Sequence, residues 1–278
     1  MALSVVDLYR DVLPKTNCGD CGFPTCMAFA SMVVSEKHPL AGCPHLDAEV
    51  VARCNRDLEV QYAASRWTKR DMAEDALQWA VTRCASMNPA DLPERIGGKL
   101  SERDGKAVAS LPYFSGRILI GADDIMRKDG VALSRWEKVF IYNHIAQGGA
   151  RTPTGRWKGF EELPNTLSKI KTMSGQVEAP LVGRFQGRRR QLKTAAAGIG
   201  GRTVTDPEVS ADVALIFRPL PRVPVLLLFW DDDPLDGFGA AVKLLFDETV
   251  VEHLDIESIV FLGEQLRKML CDAADAIA

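Results

Sequence analysis

The chain has 278 residues, 46% hydrophobic and 26% charged, with 34 basic and 37 acidic side chains giving a formal net charge of −3. That composition excludes a wholly disordered or collagen-like chain, and the slightly acidic balance predicts no bulk attraction to nucleic acid. The longest apolar run, Val223 to Trp230, is eight residues, against the roughly 20 that a membrane-spanning helix needs, and the first residues lack the basic and long apolar regions of a secretory leader.

Ser4 to Leu13 predicts a short helix stopped by Pro14. A cysteine-rich loop follows. A second helix is expected from Pro24, a residue suited to the first helical position, through Met27, Phe29, Ala30 and Val33 to about Lys37, with His38, Pro39 and Gly42 breaking it. Asp47 to about Met87 reads as predominantly helical, with no Gly or Pro to interrupt it. Beyond Asn88-Pro89, Tyr113–Ile120 and Asp124–Lys128 predict strands, and Leu133–Gln147 predicts a helix with Trp136, Phe140, Ile141 and Ile145 on one face. Arg151–Pro164 reads as a structured loop and Asn165–Met173 as a short helix. Val213–Phe217 and Val223–Trp230 predict two buried strands around a proline-rich turn, with Pro224 at the start of its strand. Gly239–Phe246 is expected to be a short helix. Asp255 to the end is expected to be the last one, with Ile259, Leu262, Leu266, Leu270 and Ala274 at helical spacing.

The fold class expected is α+β. A small, mainly helical module (1–60) is joined by a helical connector (61–88) to a larger mixed α+β domain of unknown function (89–278). The formal negative excess lies in the first 60 residues, where five basic side chains face eight acidic ones. Five of the seven cysteines lie there too. An odd count without an export leader argues against a disulfide framework and for metal chemistry in a reducing, cytoplasmic setting.

The cysteines carry the strongest signal. Cys18, Cys21, Cys26 and Cys43 are spaced C-x2-C-x4-C-x16-C. Four thiolates can ligate a [4Fe–4S] cube, one to each iron. The close trio forms three corners of a tight loop, and Cys43 returns to fill the fourth. Gly19 and Gly22 let the backbone turn around the inorganic core. Cys26, in the first turn of a helix, would bring the positive end of the helix dipole to the cluster's negative charge. Zinc is the rival metal, since it also takes four thiolates, although zinc sites usually pair two C-x2-C knuckles and only one is present. Cys54, eleven residues beyond Cys43, is an alternate ligand. His45, close to Cys43, is placed to hydrogen-bond a cluster sulfur.

The stretch Leu13-Pro-Lys-Thr-Asn-Cys18-Gly-Asp-Cys21-Gly-Phe-Pro-Thr-Cys26-Met-Ala-Phe-Ala30 resembles the four-cysteine [4Fe–4S] domain of the corrinoid iron–sulfur protein large subunit. It is also similar to the cluster domain of the Rnf complex B subunit. The likeness covers about residues 5–50 and implies Cys18, Cys21, Cys26 and Cys43 as ligands and the transfer of single low-potential electrons to a partner or a neighbouring cofactor. It does not extend to the barrel and corrinoid-binding domains of the corrinoid protein, because residues 60–278 lack their βα alternation. Residues from about 90 onward resemble an uncharacterised family of iron–sulfur proteins from anaerobes. That resemblance is carried by Thr154-Gly-Arg-Trp-Lys-Gly-Phe-Glu-Glu-Leu-Pro164, Leu220-Pro-Arg-Val-Pro-Val225, Leu245-Phe-Asp247 and Leu254, and it implies no activity.

Three further candidates lie in this larger part. Arg184, Arg188, Arg189, Arg190, Lys193 and Arg202 form a basic stretch without an acid. Guanidinium forks suit phosphate or carboxylate, although charge runs are commonly solvated helix faces. His144, near a helix end, has the chemistry of an axial ligand or proton donor, against the blander role of a structural histidine. Asp231, Asp232, Asp233 and Asp236 at a strand end suit a divalent cation or simply cap a turn. Trp157, Phe160 and Trp230 line a cofactor pocket or belong to the core. Cys84 and Cys271 read as inert buried thiols.

The function expected is single-electron transfer by a [4Fe–4S] protein of anaerobic metabolism, to a partner redox protein that is a corrinoid or methyltransferase protein among other candidates. The first alternative is a reductive activator, or an enzyme, with a second cofactor of corrinoid or other tetrapyrrole type in the C-terminal domain. The second is a binding or assembly protein whose cluster is structural.

Overall fold

The structure, a computed structural model, describes residues 3–63, 72–122, 124–205, 210–232 and 237–277. The chain divides into two compact units, Met1–Met72 and Ala73–Ala278. Part of the expected 61–88 connector, residues 64–71, lies outside the described residues, as do Asp233 and Asp236.

The first unit is helical. Helix α1, Val5–Asp7, opens with a capping box in which the Ser4 hydroxyl accepts from the Asp7 amide and the Asp7 carboxylate accepts from the Ser4 amide. It runs on through one wider π-turn, Leu8–Val12, and stops before Pro14. Helix α2 spans Cys26–Glu36. Its cap is Thr25, whose hydroxyl accepts from the Ala28 amide at 3.1 Å. Pro24 therefore stands two residues before the first helical position and not at it, because Thr25 offers an oxygen to an otherwise unpaired amide and proline cannot. Helix α3 spans Ala48–Ala63. Leu8, Leu13, Phe29, Ala30, Val33, Leu40, Cys54 and Leu58 bury one continuous apolar cluster between these helices. Removing a side chain such as Phe29 from water contributes about 1.5–3 kcal/mol. Gln61 on α3 clamps the start of the chain, accepting from the Leu3 amide at 2.7 Å and donating to the Leu3 carbonyl at 3.0 Å.

The second unit is α+β. Helices α4 (Met72–Arg83) and α5 (Leu92–Ile96) precede a four-stranded antiparallel meander. Its strands are β1 (Lys99–Arg103), β2 (Lys106–Tyr113), β3 (Gly116–Ile120) and β4 (Ile125–Arg127), in that order. Helix α6, Arg135–Gln147, follows. Then come strand β5 (Trp157–Gly159), the short helix α7 (Ile170–Met173), and helices α8 (Ala179–Phe185) and α9 (Arg189–Gly198). A second antiparallel sheet has the order β5-β9-β8-β7-β6, with β6 at Arg202–Thr203, β7 at Val213–Leu220, β8 at Val223–Trp230 and β9 at Ala241–Asp247. Helix α10, Ile256–Asp275, closes the unit. Its buried residues Ile259, Leu262, Leu266, Leu270 and Ala274 recur every three or four positions, as the sequence predicts.

Four expectations are corrected. Tyr113–Ile120 is not one strand, because Phe114 takes a left-handed backbone (φ 48°) and turns the chain from β2 into β3. Gly239–Phe246 is not a helix, since β9 occupies Ala241–Asp247 and pairs along β8 from Trp230↔Ala241 to Val225↔Phe246. Val242, Leu244 and Phe246 are buried and alternate with more exposed neighbours, the period of a strand. The 151–164 loop contains β5, which extends the same sheet by pairing Trp157 with Asp247. The helix at 165–173 begins only at Ile170 and continues through a π-turn, Ser174–Glu178, into α8, where Pro180 withholds one amide donor.

Asp247 ends β9 fully buried and ties three segments together. It accepts from the Gly155 amide at 2.6 Å, the Thr154 amide at 3.2 Å, the Thr249 amide at 3.1 Å and the Thr249 hydroxyl at 2.7 Å. Burial works to raise its pKa, but the bonds from Thr249, Gly155 and Thr154 outweigh that and hold the carboxyl below its ordinary range.

Candidate metal centre

The cysteine loop runs from the end of the first helical segment to the cap of α2. Gly19 and Gly22 hold left-handed backbones (φ 81° and 82°), and the Gly22 amide donates to the Gly19 carbonyl at 2.8 Å. Open space surrounds the Cβ position of both, so the requirement for glycine there is conformational and not steric. Asn17 also sits left-handed (φ 52°), and its side-chain oxygen accepts from the Cys26 amide at 2.9 Å. That bond crosses the loop and fixes Cys18 against the start of α2. The sequence reading gave Asn17 no role; its signal was an asparagine, tolerant of the left-handed region, directly before the first cysteine.

Cys18 is exposed, Cys21 half-buried, and Cys26 and Cys43 buried. Cys26 is the first residue of α2, so it stands at the positive end of the helix dipole. Cys43 follows the single helical turn Leu40–Gly42 and donates its amide to the Leu40 carbonyl at 3.2 Å. Burial pushes the Cys43 thiol up. A hydrogen bond from the His45 backbone works against that, and the charges of Cys21, Cys26 and Cys18 add to the rise. All four sulfurs thus share one locality.

The remaining residues around the loop are accounted for by packing. Phe23, Phe29 and His38 form an aromatic cluster with ring centroids 5.2–5.7 Å apart. The His45 backbone hydrogen-bonds the Cys43 sulfur, while its ring Nε2 lies 2.7 Å from a carboxylate oxygen of Asp20. Cys54 is buried in α3 among the core residues.

Thiolate donors suit an iron–sulfur group. Among the described residues, three donor atoms come within 4.8 Å of one another at Cys18, Asp20 and His45.

The candidates in the second unit meet one another. Arg189 on α9 pairs with Asp212 at 3.0 Å and with Asp231 at 3.1 Å. Arg184 pairs with Asp275 at 2.7 Å. Asp231 also accepts from the Gly187 amide at 2.7 Å, and Asp232 from Gln186 at 3.3 Å. The basic stretch and the acidic strand end therefore neutralise each other in part. His144 is fully buried with its Nδ1 on the His253 carbonyl at 3.0 Å, and burial first, then neighbouring charges, lowers its pKa to about 4. Phe160 is core and packs against Phe246, Trp157 is half-buried, and Trp230 donates to the Ser210 carbonyl. Cys84 is buried and donates to the Tyr142 carbonyl, while Cys271 is half-buried on α10.

Residues 13–45, the segment that carries the loop, match the family model described as "Putative Fe-S cluster". The class defined by that loop and the architecture behind it is an α+β iron–sulfur protein. Residues 88–269 match the model described as "Domain of unknown function (DUF3786)", and the chain belongs to that family. Among curated relatives, the acetyl-CoA decarbonylase/synthase complex subunit gamma of Methanocaldococcus jannaschii is 27% identical over 112 residues, covering 37% of this chain and 22% of the relative. The corrinoid/iron-sulfur protein large subunit of Moorella thermoacetica is 48% identical over 46 residues, 16% of this chain and 10% of the relative. The acetyl-CoA decarbonylase/synthase complex subunit gamma 1 of Methanosarcina thermophila is 54% identical over 46 residues, with the same coverage. The chain thus spans no more than 22% of the length of these relatives. No solved structure matches it significantly. No described helix is long and apolar enough to cross a membrane.

Proposed function

We propose that Cys18, Cys21, Cys26 and Cys43 hold one [4Fe–4S] cluster through which the chain passes single low-potential electrons to a partner redox protein of anaerobic one-carbon metabolism, in the cytoplasm. The observation that carries this is the loop itself: four thiols in one locality with two left-handed glycines between them. When bound, such a cluster supplies one reversible electron.

The chain's own residues do the rest. Asn17 and the glycines fix the loop. The start of α2 offsets negative charge at Cys26. Cys18 stands exposed, which gives an electron a short path to a docked partner. Relatives that share this segment are named as subunits of acetyl-CoA decarbonylase/synthase and as a corrinoid/iron-sulfur protein, which supports a partner of that chemical class. The larger domain supplies the docking surface.

Anaerobically purified protein should carry iron and sulfide in equal amounts, about four of each per chain, and dithionite should convert it to an EPR-active form. Cys21→Ala should abolish the broad visible absorption. Iron content unchanged in Cys21→Ala, or zinc in place of iron in the native chain, would overturn the ligand assignment.

A further inference from the structure

Cys18 differs from the other three cysteines in what stands beside it. Asp20 and His45 bring a carboxylate oxygen and an imidazole nitrogen within 4.8 Å of its sulfur and of each other. The two are hydrogen-bonded at 2.7 Å, with side chains 52% and 46% exposed. Asp20 comes from the glycine loop and His45 from just beyond Cys43, so two separate segments converge on one cysteine. Among the described residues, Cys21, Cys26 and Cys43 have no such pair of donors gathered about them.

We propose that the Cys18 corner of the centre is exchangeable, with His45 and Asp20 able to take over the iron that Cys18 holds. The proposal rests on the cluster assignment above. Imidazole nitrogen is a good ligand for iron, and carboxylate oxygen a weaker one, so His45 is the principal stand-in and Asp20 its partner. In the exchange the iron–sulfur bond to Cys18 breaks and the freed thiolate takes up a proton from solvent. The His45 nitrogen, or the Asp20 oxygen, supplies a lone pair to the same iron, and no electron changes hands. Replacing an anionic thiolate by neutral imidazole removes one negative charge from the centre and raises its reduction potential, the direction in which histidine-ligated clusters lie. The exposed corner would then be the one that a partner or an incoming ligand can open while the three remaining thiolates keep the centre in place.

The test compares variants reconstituted anaerobically in the full chain. Iron and sulfide per chain, EPR of the reduced form and midpoint potential are the readouts, with circular dichroism confirming the helices. Cys18→Ala should keep the iron complement of the native chain and show a higher midpoint potential. Cys21→Ala and Cys26→Ala should each lose iron. Cys18→Ala combined with Asp20→Ala and His45→Ala should hold one iron fewer than Cys18→Ala alone. Loss of iron from Cys18→Ala as complete as from Cys21→Ala overturns the exchange while leaving the four-cysteine assignment standing. Full iron in the triple variant also overturns it. An iron-free native chain overturns the assignment and the exchange together.

Discussion

His144 and His253 lie ring to ring at 5.7 Å inside the second unit, both fully buried. Each gives one ring nitrogen to a backbone carbonyl, His144 to His253 and His253 to Arg151. The other nitrogens, Nε2 of His144 and Nδ1 of His253, have no hydrogen-bond partner among the described residues. Burial disfavours their cationic forms and lowers both pKa values, His144 to about 4. The unfolded chain, with ordinary histidines near pH 6.5, binds protons that the folded chain refuses. Stability is therefore fully present above about pH 6.5 and is lost as pH falls toward 4. His144 alone accounts for about 3 kcal/mol of that loss, given its pKa of about 4. Urea unfolding of the second unit should show this slope, and His144→Gln should flatten it whatever it does to stability at neutral pH. Asp247 adds a separate loss lower down, as pH falls through its depressed carboxyl pKa. None of this was legible in the sequence. His144 could be flagged as a histidine near a helix end, but its burial against a second histidine 109 residues away depends on tertiary packing.

At the level of elements, the loop and α2 are joined by two side-chain bonds, Asn17 to the Cys26 amide and Thr25 to the Ala28 amide. Thr25→Ala should destabilise the first unit by about 1 kcal/mol, the usual worth of such a cap, and Thr25→Ser should restore it. Thermal melting of the iron-loaded full chain checks this. Where a rule operates within a few residues, the sequence revealed the element: the cysteine spacing, the 3.6 periodicity of α10 and the apolar run of β8. Where pairing decides, it did not. Val242-Lys-Leu-Leu-Phe246 is too short to distinguish helix from strand by pattern, and its strand state comes from lying along β8. The β1–β2 hairpin had a local signal that went unused, the dipeptide Asp104-Gly105, with both residues left-handed (φ 51° and 74°) and Arg103 opposite Lys106. Its flanks are charged and exposed, so no alternation drew attention to it.

The whole molecule is two compact units of very unequal size. The first is short enough that its apolar cluster alone gives little net stability, and a bound metal group that the unfolded chain cannot hold contributes directly to folding. Calorimetry of the full chain should show two transitions. Removing iron should lower or erase the one belonging to the first unit and leave the other within about a degree. A single transition that moves as a whole with iron content would contradict this separation. The shift of charge and cysteine in the sequence falls near residue 60, whereas the compact units divide at residue 72.

Asp247 also bears on how the protein can be handled. One carboxylate gathers amides from residues 154, 155 and 249, so its register with the chain leading into the adjacent strand β5 leaves no slack. A tag, label or grafted peptide placed between Thr154 and Gly155 would pull those amides from the buried Asp247 carboxylate. The Asp104-Gly105 turn, whose glycine has open space around it, is the better place to attach a reporter.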